Sequence, residues 1–215
     1  MISRMFPDKR FIFISTASVY GHADGLCTEK SVLNPLSLYA QTKLDTENEI
    51  KKGSNWTILR LGTAFGMREY TRHRNDLILQ QMVNSALGGT IYIYGGERLR
   101  PYIHIQDIAD AIIRAIDIKF SNEIFNLTTD ILRIRAIAEA ITIQIPSKLE
   151  YFDVDYDKRD YAISSAKAYS QRLLIPNKYI SIGYGITETI DIIKRIDFNN
   201  IKFNNYESIK NAFQT

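Results

Sequence analysis

The sequence predicts an α/β fold: a doubly wound parallel sheet followed by a smaller C-terminal domain. Short apolar runs alternate with segments of helical period along most of the 215 residues. The first run, Phe11 to Ile14, is continuously apolar, as in a parallel strand covered on both faces rather than a half-exposed one. That run ends in Ser15, Thr16, Ala17 and Ser18, which puts hydroxyls at the carboxyl edge of the sheet, where ligands of open α/β sheets bind.

Strands are expected near residues 10–16, 56–62, 91–94, 124–129 and 149–154. Helices are expected near 35–52, 75–88, 106–119, 131–143, 165–173 and 185–196. The first helix has two candidate starts: Asn34 followed by Pro35 reads as a cap and first helical residue, and Ser37 is a second cap. Residues 1–66 form the sheet half and 67–198 mostly the smaller domain, with 105–129 returning to the sheet. Residues 199–215 are Asn-rich and weakly patterned and read as a peripheral tail.

Tyr39 and Lys43 stand four residues apart on the first helix, so they share one face. A phenol with its ordinary pKa of about 10 is a poor base at neutral pH, and a neighbouring cation favours its phenolate. The spacing alone is weak: chance supplies about one such pair in a chain of this composition, and Tyr206/Lys210 is a second. On helix and strand context alone, the pair reads either as an acid/base site or as an exposed couple on an amphipathic helix. The strand-end hydroxyls likewise either serve a ligand or cap backbone groups.

Several ordered motifs resemble the extended short-chain dehydrogenase/reductase family, the NAD-dependent epimerases/dehydratases, and in particular its nucleotide-sugar epimerases. They are Thr16 to Gly21 followed by the Tyr39 to Lys43 helix; Leu59-Arg60-Leu61-Gly62-Thr63-Ala64-Phe65-Gly66; Arg100-Pro101-Tyr102-Ile103-His104-Ile105-Gln106-Asp107-Ile108-Ala109; and Asp157 to Ser164, then Lys167 and a turn at Gly183 to Ile186. The resemblance implies a partial Rossmann sheet with a smaller C-terminal substrate-binding domain. It makes Tyr39 the acid/base, Lys43 the residue that holds the nicotinamide ribose, and Thr16 the hydroxyl partner. Ala64 falls beside the cofactor, and Thr63, Arg100 and Arg159 on the substrate side. Thr63 stands where the family usually has Asn. Arg100 suits a pyrophosphate, because its guanidinium is a planar, permanently charged fork. Arg68, Arg72, His73 and Arg74 could extend an anion-binding rim. In the sugar 4,6-dehydratases of the family an Asp-Glu pair follows the Thr; Ala17-Ser18 stands there here, which argues against dehydration.

The implied cofactor is NAD or NADP, yet none of the 11 glycines forms Gly-x-x-Gly-x-x-Gly or Gly-x-Gly-x-x-Gly. A dinucleotide needs such a turn so that backbone can approach its pyrophosphate at a helix N-terminus. The expectation is a chain lacking the amino-terminal cofactor part, inactive alone, and partnered by a complementary N-terminal chain or a second copy at the unpaired edge of its first strand. A nucleotide sugar is the expected substrate; a non-catalytic remnant or interaction protein is the alternative. A net charge of +3 spread among 24 acidic residues gives nucleic-acid binding little support. The single Cys27 precludes an internal disulfide, and the amino terminus has no adequate apolar leader. With no apolar run near the ~18 residues that span a bilayer, the expected location is the cytoplasm, with no membrane partner.

Overall fold

A computed structural model describes residues 9–66, 77–153 and 158–195. The first sheet has three parallel strands in the order β1 (Phe11–Thr16), β3 (Trp56–Leu61), β7 (Glu123–Leu127). Between β1 and β3 run a single 3₁₀ turn (Ala17–Tyr20), β2 (His22–Cys27) and α1 (Leu38–Lys51). Side chains alternate across the sheet. Phe13, Ser15 and Arg60 meet α1, whereas Ile12, Ile14, Leu59, Leu61, Phe125 and Leu127 join a core with α3 (Ile105–Ile118). Among the described residues β1 pairs only with β3, and Phe11 to Ile14 stay partly exposed while Ile58 and Leu59 in the middle strand are fully buried.

After β3, Gly62 lets the chain pass closely over Pro101, where a Cβ would meet the Pro101 carbonyl oxygen. β4 (Thr63–Phe65) then pairs with β6 (Leu99–His104), which also takes β8 (Asp130–Arg133) in antiparallel fashion. α2 (Ile78–Leu87) leads to β5 (Thr90–Tyr94), which pairs in parallel with β9 (Lys148–Phe152) across α4 (Ile134–Gln144). β10 (Asp160–Ile163) runs parallel to β2, followed by α5 (Ala166–Ser170) and α6 (Ile182–Arg195). A second core joins α2, α4 and α6 through Leu79, Val83, Ile137, Ile141, Ile186 and Ile190. His104 fastens the two regions: its Nδ1 accepts from the Gln106 amide at the start of α3, and its Nε2 lies 3.1 Å from Glu188 on α6.

Five strands were expected near their observed places, and β2, β4, β6, β8 and β10 were not. The helix expected from 131 begins at Ile134, because residues 130–133 are spent on β8. Among the described residues no helix is long and apolar enough to cross a membrane.

Candidate active site

Thr16 ends β1, and its hydroxyl oxygen accepts from the Ser18 amide at 3.1 Å, capping the 3₁₀ turn. Accepting one bond leaves the Thr16 hydroxyl hydrogen available to donate. Gly21 closes that turn at φ +69, with a Cβ excluded by the Asn34 carbonyl. The Asn34 amide bonds back to Val19 at 2.9 Å, so the loop before α1 folds onto the turn and delivers the helix to the end of β1. Of the two candidate starts, Ser37 is the cap: its Oγ accepts from the Ala40 amide at 3.2 Å, and the helix begins at Leu38.

Tyr39 then falls in the first turn of α1, 57% exposed. The Lys43 ammonium donates to the Ile14 carbonyl at 2.8 Å, 4.9 Å from the Phe13 ring centroid and 5.9 Å from that of Tyr39. Lys43 is thus seated against the carboxyl half of β1, two residues before Thr16, with Tyr39 one helical turn earlier.

Ser18 carries the site towards the other sheets, its Oγ lying 3.3 Å from the Tyr161 hydroxyl on β10. The guanidinium carbon of Arg100, a buried residue of β6, stands 5.8 Å from the Tyr161 ring centroid. The Leu99 amide donates to Asp160 at 2.9 Å, and this bond joins β6 to β10 where Arg100 and Arg159 flank it. The Tyr102 hydroxyl is buried without a hydrogen-bond partner among the described residues, and burial pushes its pKa well up. Thr63 and Ala64 are half-buried in β4, opposite Tyr102 and Ile103, and Ala64 packs against the core under the first sheet. Arg68, Arg72, His73 and Arg74 lie outside the described residues. Among the described residues no three His, Cys, Asp or Glu side chains gather as a metal site.

Sequence reasoning missed a buried polar group beneath Tyr39 and Lys43. Glu47 on α1 is fully buried and takes the Arg60 fork, Nε donating to Oε1 at 3.0 Å and Nη2 to Oε2 at 2.7 Å. Ser15 donates to Oε1 at 2.6 Å, and Lys51 approaches Oε2 at 3.4 Å. Arg60 Nη1 donates to the Tyr20 hydroxyl at 3.0 Å, which donates to Asn126 at 2.8 Å. Burial alone would raise the Glu47 carboxyl, but Arg60, Ser15 and Lys51 outweigh it and hold the pKa low. The readable signal was an Arg inside the apolar Trp56–Leu61 run.

Residues 2–128 match the sequence model of the NAD dependent epimerase/dehydratase family. The chain is 34% identical over 109 residues to an uncharacterized UDP-glucose epimerase of Bacillus subtilis, covering 47% of this chain and 33% of that protein. The dTDP-glucose 4,6-dehydratase of Bacillus anthracis, solved with NAD, superposes with a TM-score of 0.79 at 21% identity, over 94% of this chain and 66% of that one. The UDP-glucuronic acid 4-epimerase of Bacillus cereus, solved with UDP-glucuronic acid and NAD, superposes with a TM-score of 0.74 at 24% identity, over 86% and 62%. The chain therefore spans a third of that curated relative and under two thirds or so of the solved ones. The superpositions establish a Rossmann-like fold, and the sequence match, spanning more than half of the residues, places the chain in the NAD dependent epimerase/dehydratase family.

Proposed function

We propose that this chain carries the catalytic and substrate side of a nucleotide-sugar epimerase or keto-sugar reductase, with Tyr39 as the acid/base. The observation that carries the reading is Lys43, whose ammonium donates to the Ile14 carbonyl, two residues before Thr16, and stands 5.9 Å from the Tyr39 ring centroid. In this scheme the Tyr39 oxygen takes the proton from a sugar hydroxyl, or returns it to a carbonyl, while the Thr16 hydroxyl holds the same oxygen in place. Arg100 and Arg159 meet the pyrophosphate of the sugar nucleotide, where two fixed positive charges orient the sugar towards Tyr39.

NAD or NADP, when bound, supplies the two-electron oxidation or reduction at the sugar carbon. Tyr39 and Lys43 fit its nicotinamide ribose: a phenol and an ammonium with donors to spare stand at one strand end. The pyrophosphate has no matching cradle in these residues, since the 11 glycines form neither spaced pattern. We therefore place that cradle on a complementary segment or chain, and the 215 residues by themselves are expected to be inactive.

The missing glycine pattern also favours a second reading, a non-catalytic protein that binds a nucleotide sugar. Calorimetric titration separates the two. The enzyme reading expects no NAD binding by the 215 residues alone, and binding with turnover once a glycine-rich amino-terminal fragment of a family member is added. Micromolar NAD binding by the chain alone would refute the incompleteness, and sugar-nucleotide binding without turnover under any complementation would leave the second reading standing.

A further inference from the structure

α1 has only a narrow apolar contact, Ala40 and the partly buried Leu44, which packs against the small core around Ala17, Val19 and Tyr20. Of its 14 residues only Ala40 and Glu47 are buried, and Leu38 and Tyr39 stand exposed. Its anchor is the carboxylate of Glu47. Its two sheet partners, Ser15 on β1 and Arg60 on β3, are register partners, so their side chains leave the same face, and Asn126 on β7, which accepts from Tyr20, stands next to Arg60 in that row. Glu47 follows Tyr39 and Lys43 at steps of four, on the same stripe of the helix, about 12 Å along the axis from Tyr39. An apolar stripe lets a helix slide or roll at little cost, whereas a two-bond guanidinium fork is satisfied at one rotation and one height.

We propose that Glu47 and Arg60 are positioning residues, a charge clamp that sets α1 in rotation and height so that Tyr39 and Lys43 lie against the end of β1. The clamp serves both sides of the site at once. Arg60 also holds Tyr20, in the turn that Thr16 caps, and Ser15, which donates to Glu47, immediately precedes Thr16. This inference rests on the reading of Tyr39 and Lys43 as the reacting pair, and its test avoids turnover so that either can fail alone.

The test is pulsed amine acetylation of the full chain, read by mass spectrometry at Lys43 with the exposed Lys178 as internal reference. Lys43 is shielded by its bond to Ile14, a bond that exists only while α1 keeps its setting. Glu47→Gln should raise Lys43 labelling at least threefold over wild type without changing Lys178. Arg60→Lys should do the same, because an ammonium cannot make the fork. Ile141→Ala, a cavity in the distant core of α2, α4 and α6, should weaken the protein yet leave Lys43 labelling as in wild type. Unchanged labelling in Glu47→Gln, or an equal rise in Ile141→Ala, overturns the proposal. If Glu47→Gln does not fold, Ser15→Ala removes one bond to the clamp without stranding a charge. A rise at Lys43 beyond that of Ile141→Ala then supports the clamp, and no rise overturns it.

Discussion

Arg60→Met separates a buried ion pair from the surface pairs that contribute little. Methionine keeps most of the length and apolar volume of the side chain but leaves the Glu47 carboxylate, fully buried, with only the Ser15 hydroxyl and the Lys51 ammonium. Removing one partner of a buried pair costs about 3–5 kcal/mol, because the remaining charge has neither solvent nor counter-charge. Lys51 stays 3.4 Å from Glu47 and offsets part of this, so about 3 kcal/mol is expected. At roughly 2–4 °C per kcal/mol for a chain of this size, Tm falls by roughly 6–12 °C. Arg60→Met combined with Glu47→Leu removes both charges and should recover most of the loss, since replacing a whole buried pair is often neutral or better. Urea unfolding reads both variants, with fluorescence of the single tryptophan, Trp56 at the start of β3, checked against circular dichroism. A single variant losing under about 1 kcal/mol would make the pair no better than an exposed one. A double variant as weak as the single would show that the cost lies in lost packing rather than in a stranded charge.

Three further outcomes are expected. Because the Glu47 carboxyl is held low, the unfolded chain takes up its proton first as pH falls; its contribution is complete above about pH 4.5 and is lost as pH drops through the folded value. The gap in urea midpoint between wild type and Glu47→Gln should therefore narrow on going from pH 6 to pH 3, and a constant gap would contradict the assignment. Gly185→Ala on α6 would drive a Cβ into the Phe65 ring and should cost about 1–3 kcal/mol by thermal unfolding, while Gly183→Ala, with only the Ser181 hydroxyl nearby, should be neutral or stabilise by up to about 1 kcal/mol. In a complemented, active preparation Tyr39→Phe should lower kcat by about 10²-fold or more with KM little changed; turnover equal to wild type would remove Tyr39 from the acid/base role.

The strands that sequence made legible are those whose apolar runs answer to a core directly behind them, such as Trp56 to Leu61 between α1 and α3. The overlooked ones are held by distant pairing. Pro101 sits inside β6, where a proline normally argues against a strand; the strand survives because Ile131 and Leu132 pair along it, and that pairing also takes the residues read as the first turn of α4. β2 contains Gly25 and is mostly exposed, and among the described residues its one partner is β10, more than 130 residues away. The same division runs through the site. Thr16, Tyr39 and Lys43 lie within 28 consecutive residues, from the end of β1 to the second turn of α1, so their candidacy could be read from one short stretch of sequence. Ser18 and Tyr161 are 143 positions apart, and nothing in either neighbourhood announces the other. Glu47, four residues after Lys43, reads locally as one more charge on a solvated helix, because its partner Arg60 lies on a different element.

Anchoring α1 by charge rather than by an apolar stripe follows from what the helix has to expose. In the proposed role Tyr39 faces a ligand and Lys43 keeps a charged head near the surface, so the stripe that they share would not be covered with hydrocarbon: burying an ammonium without enough partners costs several kcal/mol. A helix whose working face is polar can be held on that face only by a polar contact. Placing the contact two turns beyond Tyr39 keeps the buried carboxylate away from the substrate, and its full satisfaction by Arg60 and Ser15 leaves no spare charge to attract a competing ion. The desolvation of Glu47 and Arg60 is thus the cost of a directional hold. It predicts that exchanging the clamp for leucine and methionine, though harmless to stability, leaves Lys43 as exposed to acetylation as in Glu47→Gln; a double variant that is stable and still shields Lys43 would show that packing alone can set this helix.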